Sequence, residues 1–164
     1  MKTLYLIGGT MGVGKTTVCQ LLKKELPNSV FLDGDWCWDA DPFQVTTETK
    51  AMVLDNICHL LNSFLLCSAY DNILFCWVMH EQSIIDSILN RLDTNACTVK
   101  TISLTCGEAA LKNRLESDIR AGLRARDIIE RSVTRLPLYE RLETVKIDTS
   151  GKLPREIAWE ISRL

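Results

Sequence analysis

The stretch that decides the fold is Gly9-Thr10-Met11-Gly12-Val13-Gly14-Lys15-Thr16, which fits the pattern G-x-x-x-x-G-K-[ST]. Its glycines let successive backbone N–H groups surround phosphate oxygens, and the following helix directs its positive dipole end to the same place. Lys15 adds a mobile cation for the β- and γ-phosphates, and the Thr16 hydroxyl is a ligand for Mg²⁺. The predicted phosphate-binding residues are Gly9, Met11, Gly12, Val13, Gly14, Lys15, Thr16 and Thr17.

The neighbours of this loop provide the setting that the motif requires. Thr3 to Ile7 is short, rich in strand formers and followed by Gly8-Gly9, which predicts a buried strand. From Lys15 onward, apolar residues recur at helical spacing until Pro27 ends them. A strand, a glycine loop and a helix in this order are the context that confirms a phosphate-binding loop.

The rest of the chain alternates between predicted strands and helices. Four more strands are predicted, at 30–32, 73–79, 98–104 and 144–147. Further helices are predicted from Thr46 or Thr47 to about Tyr70, around 84–92, from 109 onward, and over 153–164. The stretch 114–141 is predicted to be largely helical, with breaks near Gly122 and at Pro137. This order predicts one α/β domain over residues 1–164, with a five-stranded, mainly parallel sheet and helices on both faces.

Composition excludes several classes of protein. The chain has 164 residues, of which 46% are hydrophobic and 24% are charged, so disordered, collagen-like and low-complexity classes do not fit. Its formal charge of −2 is too balanced for a protein whose main partner is nucleic acid or an anionic membrane surface. No apolar run reaches the roughly 20 residues of a membrane span. We therefore expect neither a nucleic-acid nor a membrane partner.

The seven cysteines indicate a reducing compartment. They are odd in number, include no Cys-x-x-Cys pair, and are not preceded by a secretory signal. We therefore expect reduced thiols and a cytoplasmic location. Several of these cysteines lie in apolar runs and are interpreted as small buried side chains. His59 and His80 have no clustered ligands around them, so no zinc site is expected.

Two acids follow the second predicted strand directly, in Asp33-Gly34-Asp35. At the carboxyl end of a parallel sheet, they lie where open α/β folds bind their ligands. Two carboxylates at this spacing can divide the work between them. One serves the Mg²⁺ shell, and the other accepts a hydrogen bond or proton from a substrate hydroxyl. The alternative is a simple acidic turn.

Arginine is concentrated in one stretch, because seven of the ten arginines lie in 114–141. A positioned arginine stabilises the negative charge that spreads over a phosphoryl group during transfer. Arg120 and Arg124 are four residues apart and share a helix face, and Arg114 lies earlier, where it can flank a nucleotide base. Three further arginines are interpreted as surface or ion-pair residues: Arg131, Arg135 and Arg141.

Together these residues resemble the small P-loop kinases, which include shikimate kinase, gluconate kinase, adenylylsulfate kinase and the nucleoside monophosphate kinases. The resemblance covers most of the chain. It rests on the loop 9–17, on Asp33-Gly34-Asp35, on the segment 114–126 and on the terminal stretch 147–151. It implies a kinase that binds ATP and Mg²⁺ and phosphorylates a small-molecule acceptor, as a monomer or a homodimer. The stretch 73–80 followed by Glu81 is also similar to P-loop proteins of the tunicamycin-resistance type.

The resemblance also implies individual roles. Lys15 and Thr16 would contact phosphate and metal, Asp33 would be the metal-side acid, and Asp35 would be the catalytic acid on the acceptor side. The region of about 114–141 would be a helical lid, in which Arg120 or Arg124 reaches the transferred phosphoryl group. The turn that follows the last strand would lie near adenine.

The acceptor stays open. The arginine-rich acceptor pattern of shikimate kinase is not evident, and Trp36-Cys37-Trp38 follows the acids where a gluconate site would have polar residues. The two tryptophans either stack on a substrate ring or fold back on the long helix. His80 either faces the same crevice or only begins a helix.

Two other functions are weighed against the kinase. A GTPase switch is disfavoured, because the chain lacks Asn-Lys-x-Asp and no Asp-x-x-Gly follows the third strand. A module that sequesters a drug or metabolite, with ATP as a structural ligand, is the stronger alternative, because the resistance-type similarity supports it.

Overall fold

The computed structural model describes residues 1–164 and is built on a five-stranded sheet. Its strands are β1 (Lys2–Gly8), β2 (Ser29–Asp33), β3 (Asn72–Trp77), β4 (Cys97–Thr105) and β5 (Val145–Asp148). They lie in the order β2-β3-β1-β4-β5, and every neighbouring pair is parallel. The predicted α/β fold is confirmed, with a sheet that is wholly parallel.

Six helices connect and cover the strands. They are α1 (Lys15–Glu25), α2 (Thr47–Leu66), α3 (Gln82–Leu89), α4 (Glu108–Arg120), α5 (Ile128–Tyr139) and α6 (Pro154–Ser162). A short 3₁₀ turn, Gly34–Cys37, follows β2. None of the helices combines the length and the apolar composition that a membrane crossing requires.

Alternating residues of the central strands fill two apolar cores, one on each face of the sheet. On β1, Leu4 and Leu6 belong to the core that contains residues of α2 and α3. Tyr5 and Ile7 belong to the other core, which contains residues of α1 and α6. Helices on both faces are the reason that the central strands read as continuous apolar runs in the sequence.

The N-terminus of α2 has the cap that the sequence predicts. Thr46 Oγ1 accepts a hydrogen bond from the Thr49 backbone N–H at 3.1 Å, and Thr49 Oγ1 accepts one from the Thr46 N–H at 2.8 Å. This reciprocal pair satisfies two backbone donors that the first turn of a helix leaves without partners. It sets the end of the preceding loop.

Some predicted boundaries differ from the structure. The break near Gly122 is confirmed, since that glycine has φ +72° and lies between α4 and α5. The break predicted at Pro137 is wrong, because α5 continues to Tyr139. Pro137 removes one backbone hydrogen bond in the last turn, and the complete burial of Tyr139 beyond it outweighs that loss. Helix α2 ends at Leu66, before the predicted end at Tyr70.

Two side-chain hydrogen bonds join helix α5 to the residue after β3 and to the glycine loop. The Tyr139 hydroxyl donates to the Val78 carbonyl at 2.6 Å, and the Gly9 N–H donates to the same carbonyl at 3.3 Å. About two turns earlier, the Ser132 carbonyl accepts a hydrogen bond from Thr10 Oγ1 at 2.8 Å. The helix is therefore held against the glycine loop and the end of β3.

We expect Tyr139→Phe to lower the free energy of unfolding by about 1 kcal/mol, because it removes one buried hydrogen bond and keeps the aromatic packing. Urea denaturation followed by circular dichroism measures this change. Tyr70→Phe is the matched control, since Tyr70 makes an edge contact with Phe64 and its hydroxyl has no hydrogen bond. An unchanged Tyr139→Phe midpoint would show that the bond to Val78 contributes nothing.

Candidate active site

The candidate site lies at the carboxyl end of the sheet, where three neighbouring strands end together. Strand β3 lies between β1 and β2, with Gly8 paired to Trp77 and Asp33 paired to Cys76. The glycine loop leaves β1 and the two acids leave β2, so they flank the end of β3. Strand pairing therefore brings together two segments that are about twenty residues apart in sequence.

The glycine loop has the backbone conformation that phosphate binding requires. Gly12 has φ +83° and Gly14 has φ +101°, a region that side chains rarely allow. A Cβ at position 12 would also lie 2.5 Å from Leu115 Cδ2, because α4 packs directly on the loop. Around position 14 there is open space, so only the backbone angle demands glycine there.

Lys15 lies folded over the loop. Its Nζ donates to the carbonyl of Gly9 at 2.8 Å and to that of Thr10 at 3.1 Å. Burial lowers the pKa of Lys15, and the nearby charges of Asp35 and Asp33 act in the opposite direction. The ammonium group is thus held between the phosphate-binding loop and the acids after β2.

Asp33 links the loop to the acidic turn. Its Oδ2 accepts a hydrogen bond from Thr16 Oγ1 at 2.7 Å, and its Oδ1 accepts one from the Asp35 N–H at 3.1 Å. The side chain is buried, with 5% exposure for the residue. The second bond caps the 3₁₀ turn, so one carboxylate sets both the threonine rotamer and the start of the turn.

The donor set at this point fits Mg²⁺. The Thr16 hydroxyl and the Asp33 carboxylate are adjacent hard oxygen ligands, which is the chemistry that this cation prefers. No group of three His, Cys, Asp or Glu side chains assembles anywhere in the chain. One or two protein ligands are what a Mg²⁺ ion needs when substrate phosphates and water supply the rest.

The Asp35 carboxylate is only partly buried and faces the site. Partial burial raises its pKa, and the charge of Asp33 raises it further. The charge of Lys15, a hydrogen bond with the Trp77 side chain and the charge of Arg124 act to lower it. Asp35 is therefore an acid whose proton affinity is increased beside a cation.

The structure separates the two predicted lid arginines. Arg124 is close enough to act on the Asp35 carboxyl, and its Nε forms an ion pair with Asp118 Oδ2 at 2.9 Å. Arg120 instead donates from Nε to the Glu116 carbonyl of its own helix at 3.3 Å. Of the two, only Arg124 acts on the pKa of Asp35.

Arg114 joins three elements. Its guanidinium donates to the Val13 carbonyl at 3.3 Å, and to the hydroxyl and carbonyl of Thr149 at 2.9 and 2.7 Å. The loop, α4 and the turn after β5 are thus held as one unit. The side chain lies where the turn after β5 meets the glycine loop.

The remaining residues of the glycine loop differ in how deeply they are buried. Val13 is buried in the core beneath α1, and Met11 packs against the small apolar cluster between α4 and α5. Thr17 is exposed on the first turn of α1. All the predicted loop residues therefore surround one cradle, and Val13 supports it from below.

The predicted lid region 114–141 is held at both ends. Arg114 anchors α4, and the hydrogen bonds of Ser132 and Tyr139 anchor α5. Between these anchors, residues 120–127 are all exposed. The continuous exposed segment is therefore much shorter than the predicted lid region, and it contains Arg124.

Trp77 is a site residue that the sequence did not reveal. Its ring lies against Gly34, where a Cβ would come within 2.5 Å of Trp77 Cγ. Its side chain also acts to lower the pKa of the Asp35 carboxyl. No local pattern marks this tryptophan. Only the pairing of β2 with β3 places it beside the acidic turn.

The other candidates near the acids take different positions. Trp38 folds back and packs against the core that contains α2 residues, whereas Trp36 makes an edge contact with Phe31 and stays 56% exposed. His80 precedes α3, with its Nε2 3.4 Å from Glu81 Oε1. Its Nδ1 is buried without a hydrogen-bond partner.

A family model described as the AAA domain matches residues 6–131. The chain belongs to the AAA domain family. The match includes the glycine loop, the acids after β2 and both predicted lid arginines. Among curated proteins, no sequence matches this AAA-domain protein.

Solved structures share the fold of this AAA-domain protein at low sequence identity. A gluconokinase from Sinorhizobium meliloti has a TM-score of 0.68 at 18% identity, covering 96% of this chain and 88% of its own. A tunicamycin resistance protein from Deinococcus radiodurans has 0.72 at 17%, covering 99% and 95%. The APS kinase of Mycobacterium tuberculosis has 0.63 at 13%, covering 99% and 96%. The fold is that of the small P-loop kinases, as the sequence predicts.

We expect Gly34→Ala to destabilise this AAA-domain protein by about 1–3 kcal/mol, because the new Cβ has no room beside the Trp77 ring. Thermal or urea unfolding measures the loss. Gly107→Ala is the control, since a Cβ there meets nothing closer than 3.7 Å. Equal stability of the two variants would show that the contact between Gly34 and Trp77 is easily relaxed.

Proposed function

We propose that this protein is an ATP- and Mg²⁺-dependent phosphotransferase that moves the γ-phosphoryl group of ATP to a hydroxyl of a small acceptor. The observation that carries the proposal is the hydrogen bond between Thr16 and Asp33 at 2.7 Å. It joins the phosphate-binding loop to the acids that follow β2, and Asp35 stands two residues further on. Phosphate binding and proton acceptance are thus brought into one site.

The loop and Lys15 bind the triphosphate. The inward-facing N–H groups and the N-terminus of α1 favour phosphate oxygens. Lys15 exchanges its two carbonyl partners for phosphate oxygens, and its proximity to Asp33 and Asp35 favours the charged form of the side chain against the effect of burial. Thr16 and Asp33 hold the magnesium ion, which when bound neutralises charge on the transferred group.

Asp35 is the proton acceptor for the attacking hydroxyl. A raised pKa makes a carboxylate a better base at the operating pH, provided that it stays ionised. The charge of Lys15 and the Trp77 side chain favour the ionised form of this carboxylate. Asp33 fixes its position through the bond to the Asp35 N–H.

Arg124 supplies positive charge from the exposed segment 120–127. Its charge acts on the Asp35 carboxyl, so the guanidinium lies on the side of the site where the phosphoryl group moves. Closure of this segment excludes water, which would otherwise compete with the acceptor. While the segment is open, Arg124 is paired with Asp118, and it leaves this ion pair when the segment closes.

The comparisons support this proposal through the fold. A gluconokinase and an APS kinase have the same fold over nearly the whole chain. The tunicamycin resistance protein has it too, so the sequestering alternative shares the same scaffold. What favours transfer over sequestration is Asp35, an acid with raised proton affinity beside the phosphate loop.

The proposal is tested by Lys15→Ala. We expect phosphoryl transfer to fall by about 10²–10³-fold, because a positioned charge on the transferred group is lost. ADP formation with ATP, Mg²⁺ and a broad panel of hydroxyl acceptors measures the rate. Lys24→Ala is the matched control, an exposed lysine on the same helix. Both variants are expected to keep the wild-type free energy of unfolding within about 0.5 kcal/mol.

Other results with this panel of acceptors would support a different function. Tight ATP binding with no acceptor-dependent ADP release would support the sequestering module. Slow hydrolysis of GTP in preference to ATP would support a switch. A native transfer rate in Lys15→Ala would contradict the mechanism.

The pH dependence of transfer tests the role of Asp35. Activity is lost as pH falls through the pKa of Asp35, which is raised above the usual aspartate value of 3.8. Trp77→Phe removes a side chain that acts to lower the pKa of Asp35, so the acidic limb of kcat/KM is expected to move to higher pH. Trp159→Phe on α6 is the control. An acidic limb that does not move would show that a group other than Asp35 controls it.

A further inference from the structure

Arg135 of α5 is a partly buried arginine whose guanidinium has no partner in the protein. Among the arginines of the chain, only Arg114 and Arg135 are half-buried, and the others are exposed. Arg114 makes three hydrogen bonds. Arg135, interpreted from the sequence as a surface or ion-pair residue, makes neither a hydrogen bond nor an ion pair. A guanidinium that is partly removed from water and unpaired is costly, so it indicates a place where an anionic group binds.

Helical spacing places Arg135 on the face of α5 that contacts the glycine loop and the residue after β3. Ser132 lies three residues before it and Tyr139 four residues after it, so the three side chains share one face. Both of these neighbours are completely buried. The Ser132 carbonyl accepts a hydrogen bond from Thr10 Oγ1, and the Tyr139 hydroxyl donates to the Val78 carbonyl. Arg135 is therefore held between two anchored residues.

This face of α5 is linked to Lys15 through a single residue. Thr10, whose hydroxyl donates to the Ser132 carbonyl, accepts a hydrogen bond from Lys15 Nζ at 3.1 Å through its own carbonyl. Lys15 in turn lies close enough to Asp35 that each charge acts on the pKa of the other. The inner face of α5 and the acid after β2 therefore lie around the same ammonium group.

His80, which follows β3, lies near Arg135. Burial lowers the pKa of His80, and the charge of Arg135 lowers it further. The preceding residue, Met79, is buried and has φ +38°, a left-handed conformation that is strained for methionine. It packs on Gly8, the last residue of β1, where a Cβ would lie 3.5 Å from Met79 Cβ. Backbone strain of this kind is concentrated at functional sites.

Two buried polar atoms without a hydrogen-bond partner lie where α5 packs against the end of β3 and the glycine loop. They are His80 Nδ1 and Ser132 Oγ, and no other buried side-chain nitrogen or oxygen in the chain lacks a partner. The other ring nitrogen of His80, Nε2, lies 3.4 Å from Glu81 Oε1. Unpartnered buried polar atoms are uncommon because they are costly, so their occurrence near an unpaired guanidinium indicates a site for a polar ligand.

The acidic residues of α5 leave the charge of Arg135 available. Asp127 forms an ion pair with Arg131 at 3.4 Å. Glu130 borders the same outer groove as Arg135 but makes no ion pair with it. The guanidinium is thus free to bind an anionic group that enters from solvent.

We propose that the acceptor carries an acid group, a carboxylate or a phosphate, and that Arg135 binds this group on the inner face of α5 beside His80. This inference rests on the proposed function and names the acceptor class and the residue that recognises it. The triphosphate has its own partners in the loop N–H groups and Lys15, so the cation on α5 is left for the second substrate. A planar guanidinium donates to two oxygens of a carboxylate or phosphate at once.

Sulfate probes this site once the glycine loop is occupied. The protein is loaded with Mg²⁺ and a non-hydrolysable ATP analogue, and the rise of the thermal unfolding midpoint with sulfate gives an apparent Kd. We expect Arg135→Gln to raise this Kd by about fivefold or more, and Arg135→Lys to raise it less, because lysine keeps the charge and loses the planar geometry. Arg155→Gln is the matched control, since Arg155 is an exposed arginine on α6. It also records the general stabilisation of proteins by sulfate.

Pairs of hydroxy acids and their amides test the acceptor class. D-Gluconate with D-gluconamide and D-glycerate with D-glyceramide differ in charge and little in shape. We expect kcat/KM for the acid to exceed that for the amide by roughly tenfold or more in the wild-type protein, and Arg135→Gln to remove this difference. A merely structural role of Arg135 would lower both rates together and leave the discrimination unchanged.

The outcomes separate this inference from the proposed function. An unchanged sulfate Kd in Arg135→Gln, or amides phosphorylated as well as acids, overturns the inference. Weaker binding of the ATP analogue by Arg135→Gln also overturns it, because the arginine would then serve the triphosphate. Failure of the wild-type protein to phosphorylate any acceptor counts against the phosphotransferase itself, and the sulfate measurement still decides whether Arg135 binds an anion.

Discussion

The position of β3 between β1 and β2 is the constraint on which the rest of the structure depends. It sets the distance between the glycine loop and the acidic turn, so that Thr16 can donate to Asp33 across the end of a buried strand. It also places Trp77 next to the acidic turn. A single arrangement of parallel strands thus creates the phosphate side of the site, its acids and its aromatic lining.

The site places the positive charge of Lys15 close to the negative charge of Asp35. Burial disfavours the charged forms of both Lys15 and Asp35, and each lies close enough to favour the charged form of the other. This coupling keeps a base and a cation together in a partly desolvated place, which suits transfer of a charged group. Arg114 and α5 are anchored to the loop and the sheet, and residues 120–127 form a continuous exposed segment between these anchors.

Much of the fold was predictable because its signals are local. The glycine loop, the strand before it and the helix after it lie within about twenty-five residues, and each has its own composition. Alternating strands and helices then imply a parallel sheet. Pro137 misled the prediction, since the cost of a proline in the last turn is small beside the burial of Tyr139. The strand order was not predictable, because it depends on pairing between distant segments.

The sequence by itself determined the glycine loop, because its residues are contiguous with Lys15 and Thr16 and the positive φ angles fall on glycines. It also placed Asp33 and Asp35 at a strand end. Only the tertiary structure decided that Arg124 acts on Asp35, that residues 120–127 are exposed between anchored helices, and that Trp77 lies against the acidic turn. These features depend on contacts between residues far apart in the chain, and no local pattern encodes such contacts.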